Sequence, residues 1–309
     1  MLPIFESLLP VFLLIMTGLL VRRSGLISAE QWAGMDKLSY YVFFPALLFN
    51  FLYKADFGAL SASTAALAFL AGTLLSMLIM ALLRKPVEQL FGLSSASYTS
   101  VFQGVTRWNA FIGLAIVEKL YGPPAMTLML IGVATMIIPI NIGNIAMLAR
   151  YGEKEDTTPR FGKILLTHPH LYAVLAALLY NGLAPPLYAP LAASVELLSR
   201  VSLPLGLILV GAGLRLEWNN KMAAAVAASL LRLLGMPALF VMLGVLFGMQ
   251  GQDLVIMAIC GAVPTAMSGY VLARQMGGDA PFFAAISTVQ TLFAFVLLPG
   301  VIYLAAYFN

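Results

Sequence analysis

Apolar runs of about 20 residues recur along nearly the whole of this 309-residue chain, and that is the length an α-helix needs to cross the hydrocarbon of a bilayer. Lipid offers no hydrogen-bond partner to a backbone N–H or C=O, so such runs are read as helices whose backbone is satisfied internally. Ten of them can be counted: roughly 3–21, 36–55, 59–83, 94–119, 124–149, 161–182, 191–214, 220–248, 252–275 and 280–307. The composition agrees. Hydrophobic residues make up 61% of the chain and charged ones 10%, with a mean hydropathy of +0.95, whereas a soluble domain carries charge on about a quarter of its residues. Soluble fold classes are excluded, and the expected class is an all-α membrane protein with ten transmembrane helices.

The charges sit between the runs. A net charge of +4 could suggest nucleic acid, but the basic residues form no single patch. Alternate connections hold Arg22, Arg23, Arg84, Lys85, Arg150, Lys154, Arg160, Lys163, Arg215, Lys221 and Arg274, whereas the others hold only Lys54 and Lys119. The positive-inside rule then places both termini outside, in a multi-pass protein of the cell (inner) membrane. Residues 3–21 are followed rather than preceded by arginines and lack a small-residue cleavage site, so they read as a retained first helix. A polar linker, 151–160, lies on the cytoplasmic side and separates residues 1–150 from 161–309.

The two halves resemble each other at an offset of about 156 to 160 positions. Leu38, Val42, Pro45 and Leu48 meet Leu197, Val201, Pro204 and Leu207; Gly113 meets Gly269, Thr135 meets Thr291, and Pro139 meets Pro299. A duplicated unit with five spans, an odd number, must have its second copy inverted. In each half one span is interrupted at mid-depth: the fourth at Gly104–Asn109 and the ninth at Gly261–Thr265. Unwound backbone is tolerated in lipid only where it lines a protected cavity, so paired breaks point to the binding site of a carrier.

The chemistry of the breaks points to an anion. Pro264 removes a backbone donor and clashes with the carbonyl four residues earlier, and Gly261 adds flexibility, so the ninth span should unwind there. Asn109 and Thr265 are suited to cap the two restarting half-helices, whose N-termini would each present about half a positive charge and free N–H donors. Arg107 lies beside the first break. A charge at helix centre costs about 2.5–3.5 kcal/mol on insertion scales, and a guanidinium fits a carboxylate bidentately. The expected substrate contacts are Arg107, Asn109, Pro264 and Thr265, with Asn50, Gln103, Thr135, Asn141 and Gln290 as further polar candidates. Asn144, Thr288 and Thr291 belong to the same group, and such side chains also commonly bond neighbouring helices.

The other polar residues read as structural. Glu196 and Arg200 stand four apart and should pair; Arg232 is expected to snorkel, and His168 and His170 to lie at the interface. The aromatics Tyr40, Tyr41, Trp218, Tyr303 and Tyr307 fall near helix ends, as an interfacial belt would. Cys260 is the single cysteine, and no metal site and no cofactor are expected. No acid lies at mid-span, so the coupling ion is left open between H+ and Na+, with uniport driven by the membrane potential as the alternative.

Three stretches carry a family resemblance: Lys37–Phe49 in the second span, Arg107–Leu114 in the fourth, with Arg-x-Asn-x-Phe-Ile-Gly, and Leu203–Leu214 in the seventh. Over essentially its whole length the chain resembles bacterial members of the auxin efflux carrier family, related to the plant PIN-formed auxin carriers. The resemblance implies two inverted five-helix repeats with crossing broken helices 4 and 9. It also implies a dimer-forming scaffold of helices 1, 2, 6 and 7 and elevator movement of helices 3–5 and 8–10. Plant members place a proline at both breaks; here Pro264 matches, while Trp108 stands at the other, and the long cytoplasmic loop of many plant carriers is missing. The expected function is secondary transport of a small carboxylate, auxin-like, monocarboxylate or dicarboxylate, by a homodimer in lipid, with no nucleic-acid partner. An anion channel of similar architecture is the alternative. An intramembrane enzyme would need a carboxylate cluster for Mg2+ or a histidine-rich metal site, and the sequence offers neither.

Overall fold

A computed structural model describes residues 2–55, 62–153, 169–183, 187–215 and 220–307, and every regular element among the described residues is helical. The linker at 154–160, the start of the sixth span at 161–168 with His168, and Trp218 lie outside the described residues. The first half runs α1 (Leu2–Ser24), α2 (Ala29–Leu38), a π turn (Ser39–Phe43), α3 (Phe44–Leu52), α4 (Ala62–Leu82), α5 (Arg84–Phe91), α6 (Ser95–Thr106), α7 (Ala110–Tyr121) and α8 (Pro123–Tyr151). The second runs α9 (Pro169–Leu183), α10 (Ala189–Gly213), α11 (Met222–Leu230), a π turn (Leu231–Gly235), α12 (Met236–Leu246), α13 (Gln252–Ala262), α14 (Ser268–Met276) and α15 (Ala280–Tyr307).

Among the described residues, six stretches are long and apolar enough to cross a membrane: Ile4–Ser24, Ser63–Leu82, Ala125–Tyr151, Ala189–Gly213, Met222–Leu246 and Ala280–Tyr307. Large apolar side chains such as Leu20, Leu179 and Val296 are exposed. Together with many others they make an apolar surface far larger than a soluble monomer shows.

Local chemistry explains where the helices depart from the apolar runs. The second span begins earlier than expected, at Ala29, because Ser28 and Gln31 form a reciprocal capping box: the Ser28 N–H donates to Gln31 Oε1 at 2.8 Å and the Gln31 N–H to Ser28 Oγ at 3.3 Å. α5 was not visible as an apolar run. It is a short amphipathic helix closed by an Arg84–Glu88 pair at 2.9 Å and by Gly92 in the left-handed region. Both π turns end two residues before a proline, Pro45 and Pro237; widening the ladder there accommodates the ring and its missing N–H.

The helices pack as two sets. α1 lies along α10, and α3 packs against both α9 and α10. Separately, α4 packs on α8 and α12, α12 on α13, and α15 on α11, α13 and α14. α7 touches both sets, through α8 on one side and α1 and α10 on the other.

At one end of the second set, Asp279 joins the starts of three helices. Its Oδ2 accepts from Lys221 Nζ at 2.6 Å and Ser97 Oγ at 2.8 Å, its Oδ1 accepts from the Phe282 N–H at 3.1 Å, and its carbonyl accepts from Ser100 Oγ at 2.7 Å. Burial pushes the carboxyl's pKa up, but the hydrogen bonds from Lys221, Ser97 and Phe282 and the Lys221 charge outweigh it and hold it below the ordinary 3.8. A lowered pKa gives stability that is present above 3.8 and lost as pH falls through the folded value. Asp279→Asn is expected to lower the melting midpoint in detergent at pH 7 by about 3–6 °C. That gap should narrow as the melts are taken below pH 3.8 and close once the pH has fallen past the lowered folded value.

Candidate functional site

Both expected interruptions are present and they touch. α6 ends at Thr106, and Arg107 is extended (φ −79°, ψ 155°). α7 restarts under Asn109, whose Oδ1 accepts from the N–H groups of Phe111 at 3.1 Å and Ile112 at 3.3 Å. On the other side α13 ends at Ala262, with Val263 extended (φ −71°, ψ 146°) ahead of Pro264. The Asn109 N–H donates to the Pro264 carbonyl at 2.8 Å, so the breaks cross in contact.

Thr265 departs from expectation. The second half-helix of this pair begins at Ser268, with Met267 and not Thr265 at its cap. The Thr265 N–H donates sideways to Gln290 Oε1 at 2.8 Å and its hydroxyl to the Gln103 carbonyl at 3.3 Å, which holds it out of a helical turn. Gln290 Nε2 in turn donates to the Gly104 carbonyl at 3.0 Å, so one side chain of α15 bridges both breaks. The amides of Phe111, Ile112, Thr265, Gly269 and Tyr270 are all bonded within the chain. Thr265 is therefore corrected from a helix cap to a bridge between the breaks, and these five amides are occupied within the chain. Gln290→Leu would leave the Thr265 N–H and the Gly104 carbonyl buried without partners, a loss of about 1–3 kcal/mol for each. It should lower the melting midpoint by roughly 5–10 °C in a thermal-shift assay.

Arg107, 6% exposed, is one of two arginines at the crossing. Its Nη2 donates to Asn141 Oδ1 at 3.0 Å and its Nη1 to Ser268 Oγ at 3.3 Å, while Nε is buried without a protein partner. Asn141 and Asn144 lie on one face of α8; Asn144 meets Thr106 Oγ1 at 3.3 Å, so α8 supports the exit of α6 at two successive residues. The Gln103 side chain is fully buried, with neither Nε2 nor Oε1 bonded within the protein.

The remaining candidates lie elsewhere or are otherwise engaged. Asn50 donates to Ser199 Oγ at 3.4 Å, joining α3 to α10. Thr135 is half-buried on α8. Thr288 bonds the Arg215 N–H at 2.9 Å and carbonyl at 2.8 Å, and Thr291 donates to the Ser287 carbonyl at 2.8 Å. Glu196 and Arg200 pair at 2.6 Å, as their spacing required. His170 is not interfacial: it is buried, with Nε2 3.1 Å from the Tyr40 carbonyl and its ring against Tyr40 and Phe44.

Arg232 is the residue that sequence reasoning misplaced. Rather than snorkelling it is 2% exposed and bonded to backbone at the crossing. Distance along the helix could have found it. It stands ten residues into Met222–Leu246, about 15 Å from the nearer end at 1.5 Å per residue, beyond the reach of an arginine. Among the described residues no group of His, Cys, Asp or Glu could hold a metal ion.

Comparisons with known proteins agree with this architecture. The family model described as "Membrane transport protein" matches residues 3–302. A protein of Methanothermobacter thermautotrophicus named "Uncharacterized transporter" is 22% identical over 301 residues, which cover 95% of this chain and 96% of that one. Described residues that are helical in every regular element, six stretches among them long and apolar enough to span a membrane, two broken helices in contact and a family match across nearly the whole sequence lead to one assignment: the chain belongs to the membrane transport protein family of auxin efflux carriers, and is a membrane transporter.

Proposed function

We propose that this transporter is a secondary carrier of a small organic acid anion that works by elevator-type alternating access, with the anion held at the helix crossing. The observation that carries the proposal is Arg107. It is a buried guanidinium whose bonded partners, Asn141 and Ser268, are both neutral. The buried polar side chains among the described residues include Arg107 and Arg232 but no aspartate or glutamate. A charge in the membrane calls for a counter-charge or a wet cavity, and a carboxylate cargo supplies the first with a geometry the guanidinium fork matches.

The packing supports the division of labour. α1, α3, α9 and α10 form the scaffold, and α4–α8 with α11–α15 form the moving body that carries the crossing. In this reading the chain crosses the membrane ten times as two inverted five-helix repeats, 1–150 and 161–309, with α6–α7 and α13–α14 as the broken fourth and ninth spans. It sits in the inner membrane with both termini outside and dimerises through the scaffold.

The test is uptake by reconstituted vesicles across a panel of monocarboxylates, dicarboxylates and indole acids, with counterflow measured alongside single-channel recording. Saturable uptake with counterflow of one of these acids is expected. Unitary currents without counterflow would make it a channel, and no flux of any acid by protein that melts cooperatively would overturn the anion assignment.

A further inference from the structure

Breaking two helices inside a membrane frees backbone carbonyls as well as amides. The Cys260 carbonyl loses its partner because the residue four positions on is Pro264, which has no N–H. The Val105 carbonyl loses its partner because the Asn109 N–H has turned to Pro264. The Val263 carbonyl lies beyond the last turn of α13. All three are filled by one side chain. Arg232 Nη2 donates to Cys260 O at 2.7 Å, Nη1 to Val105 O at 3.1 Å and Nε to Val263 O at 2.9 Å.

Charge gives the arrangement its meaning. The C-terminal end of a helix acts as about half a negative charge, so α6 and α13 together present roughly one, which a single guanidinium neutralises. In broken-helix carriers, unwound carbonyls and half-helix C-termini are where a coupling sodium ion is held. Here those oxygens converge on a guanidinium that is 2% exposed, and Arg232 is placed by the π turn Leu231–Gly235, which rotates it toward both breaks.

We infer that Arg232 is a tethered counter-cation. It fills the carbonyl cage made by the two broken helices and leaves no place there for a coupling sodium ion, so the crossing keeps its shape without a bound metal. As the positive charge of the cage is built in and already balanced, the charge of Arg107 is left for the cargo. This last consequence rests on the carrier reading above; the role of Arg232 itself does not.

The inference is tested on the full-length protein in detergent, by thermal melting with NaCl exchanged for N-methyl-D-glucamine chloride, and needs no substrate. Wild type should melt alike in both. Arg232→Gln should melt about 10 °C lower, the scale of breaking a buried charged network. It should acquire a sodium dependence that wild type lacks and be restabilised by ethylguanidinium ion, a pattern that loss of packing alone would not produce. Arg232→Lys should fall between, because an ammonium cannot span three carbonyls fixed in a fork.

Wild-type protein that needs sodium to reach its full melting temperature would overturn the inference. So would an Arg232→Gln variant that melts like wild type and responds to neither ion. Should that variant fail to fold, the wild-type comparison and Arg232→Lys still decide, since a lysine variant fully equal to wild type would also count against the cage. Absence of carboxylate uptake in the vesicle assay would fall on the carrier reading and leave this result standing.

Discussion

Arg107→Ala is expected to cut carboxylate uptake by about 100- to 1,000-fold, the scale of removing one preorganised charged donor from a desolvated site. The same variant should fold at least as well as wild type. Its partners are the neutral Asn141 and Ser268, and deleting a charge from the membrane interior relieves a cost of about 2.5–3.5 kcal/mol on insertion scales. Uptake and melting temperature therefore move in different directions, which separates a substrate contact from a structural role. A transported acid should also raise the melting midpoint of wild type, by about 2.7 kcal/mol of stabilisation at one hundred times its dissociation constant. In Arg107→Ala that shift should vanish. Arg107→Lys should recover part of the flux only, because a point charge cannot grip both carboxylate oxygens in the plane of a fork. Uptake by Arg107→Ala at the wild-type rate would remove the residue from the site.

How much of this was legible in the sequence depends on what each feature is made of. The break of the ninth span was readable because proline acts locally: Pro264 cannot continue the hydrogen-bond ladder whatever surrounds it, whereas Gly104 and Gly261 stay helical inside α6 and α13. Asn109 as a cap was readable for the same reason, since its bonds reach only two and three residues ahead. Thr265 was misread because its partners come from far along the chain. Gln290 is 25 residues away and Gln103 162, and those two bonds override its preference for a cap. Arg232 failed likewise: its direction is set by a π turn, and its partners lie 127, 31 and 28 positions off. The amphipathic α5 escaped because a count of apolar runs does not register a helix with a polar face.

The glycines of the seventh span yield the second large prediction, a pair of variants that should fail differently. A Cβ on Gly211 would fall on the backbone carbonyl of Ile15, and one on Gly18 on that of Ile208, so α1 and α10 meet backbone to backbone. Neither carbonyl can move without parting the helices. Gly211→Leu should leave no cooperatively melting protein, by size-exclusion elution and thermal shift alike. Gly206 lies on the same helix but faces the ring of Phe111, and Gly213 faces the side chain of Met267. These two partners sit immediately after the two breaks, on the body that the elevator reading sets in motion. Gly206→Leu overpacks against a ring that can rotate, at a cost of about 1–3 kcal/mol, so the protein should still fold. It should nevertheless place a branched side chain in the path of Phe111 and lower uptake by roughly tenfold or more, since 1.4 kcal/mol on a barrier is already tenfold. Equilibrium binding of the acid, read from its thermal shift, should be nearly unchanged. Wild-type flux in Gly206→Leu would mean that α10 is not the surface along which the moving body slides, and a folded, active Gly211→Leu would remove α1 and α10 as a rigid scaffold.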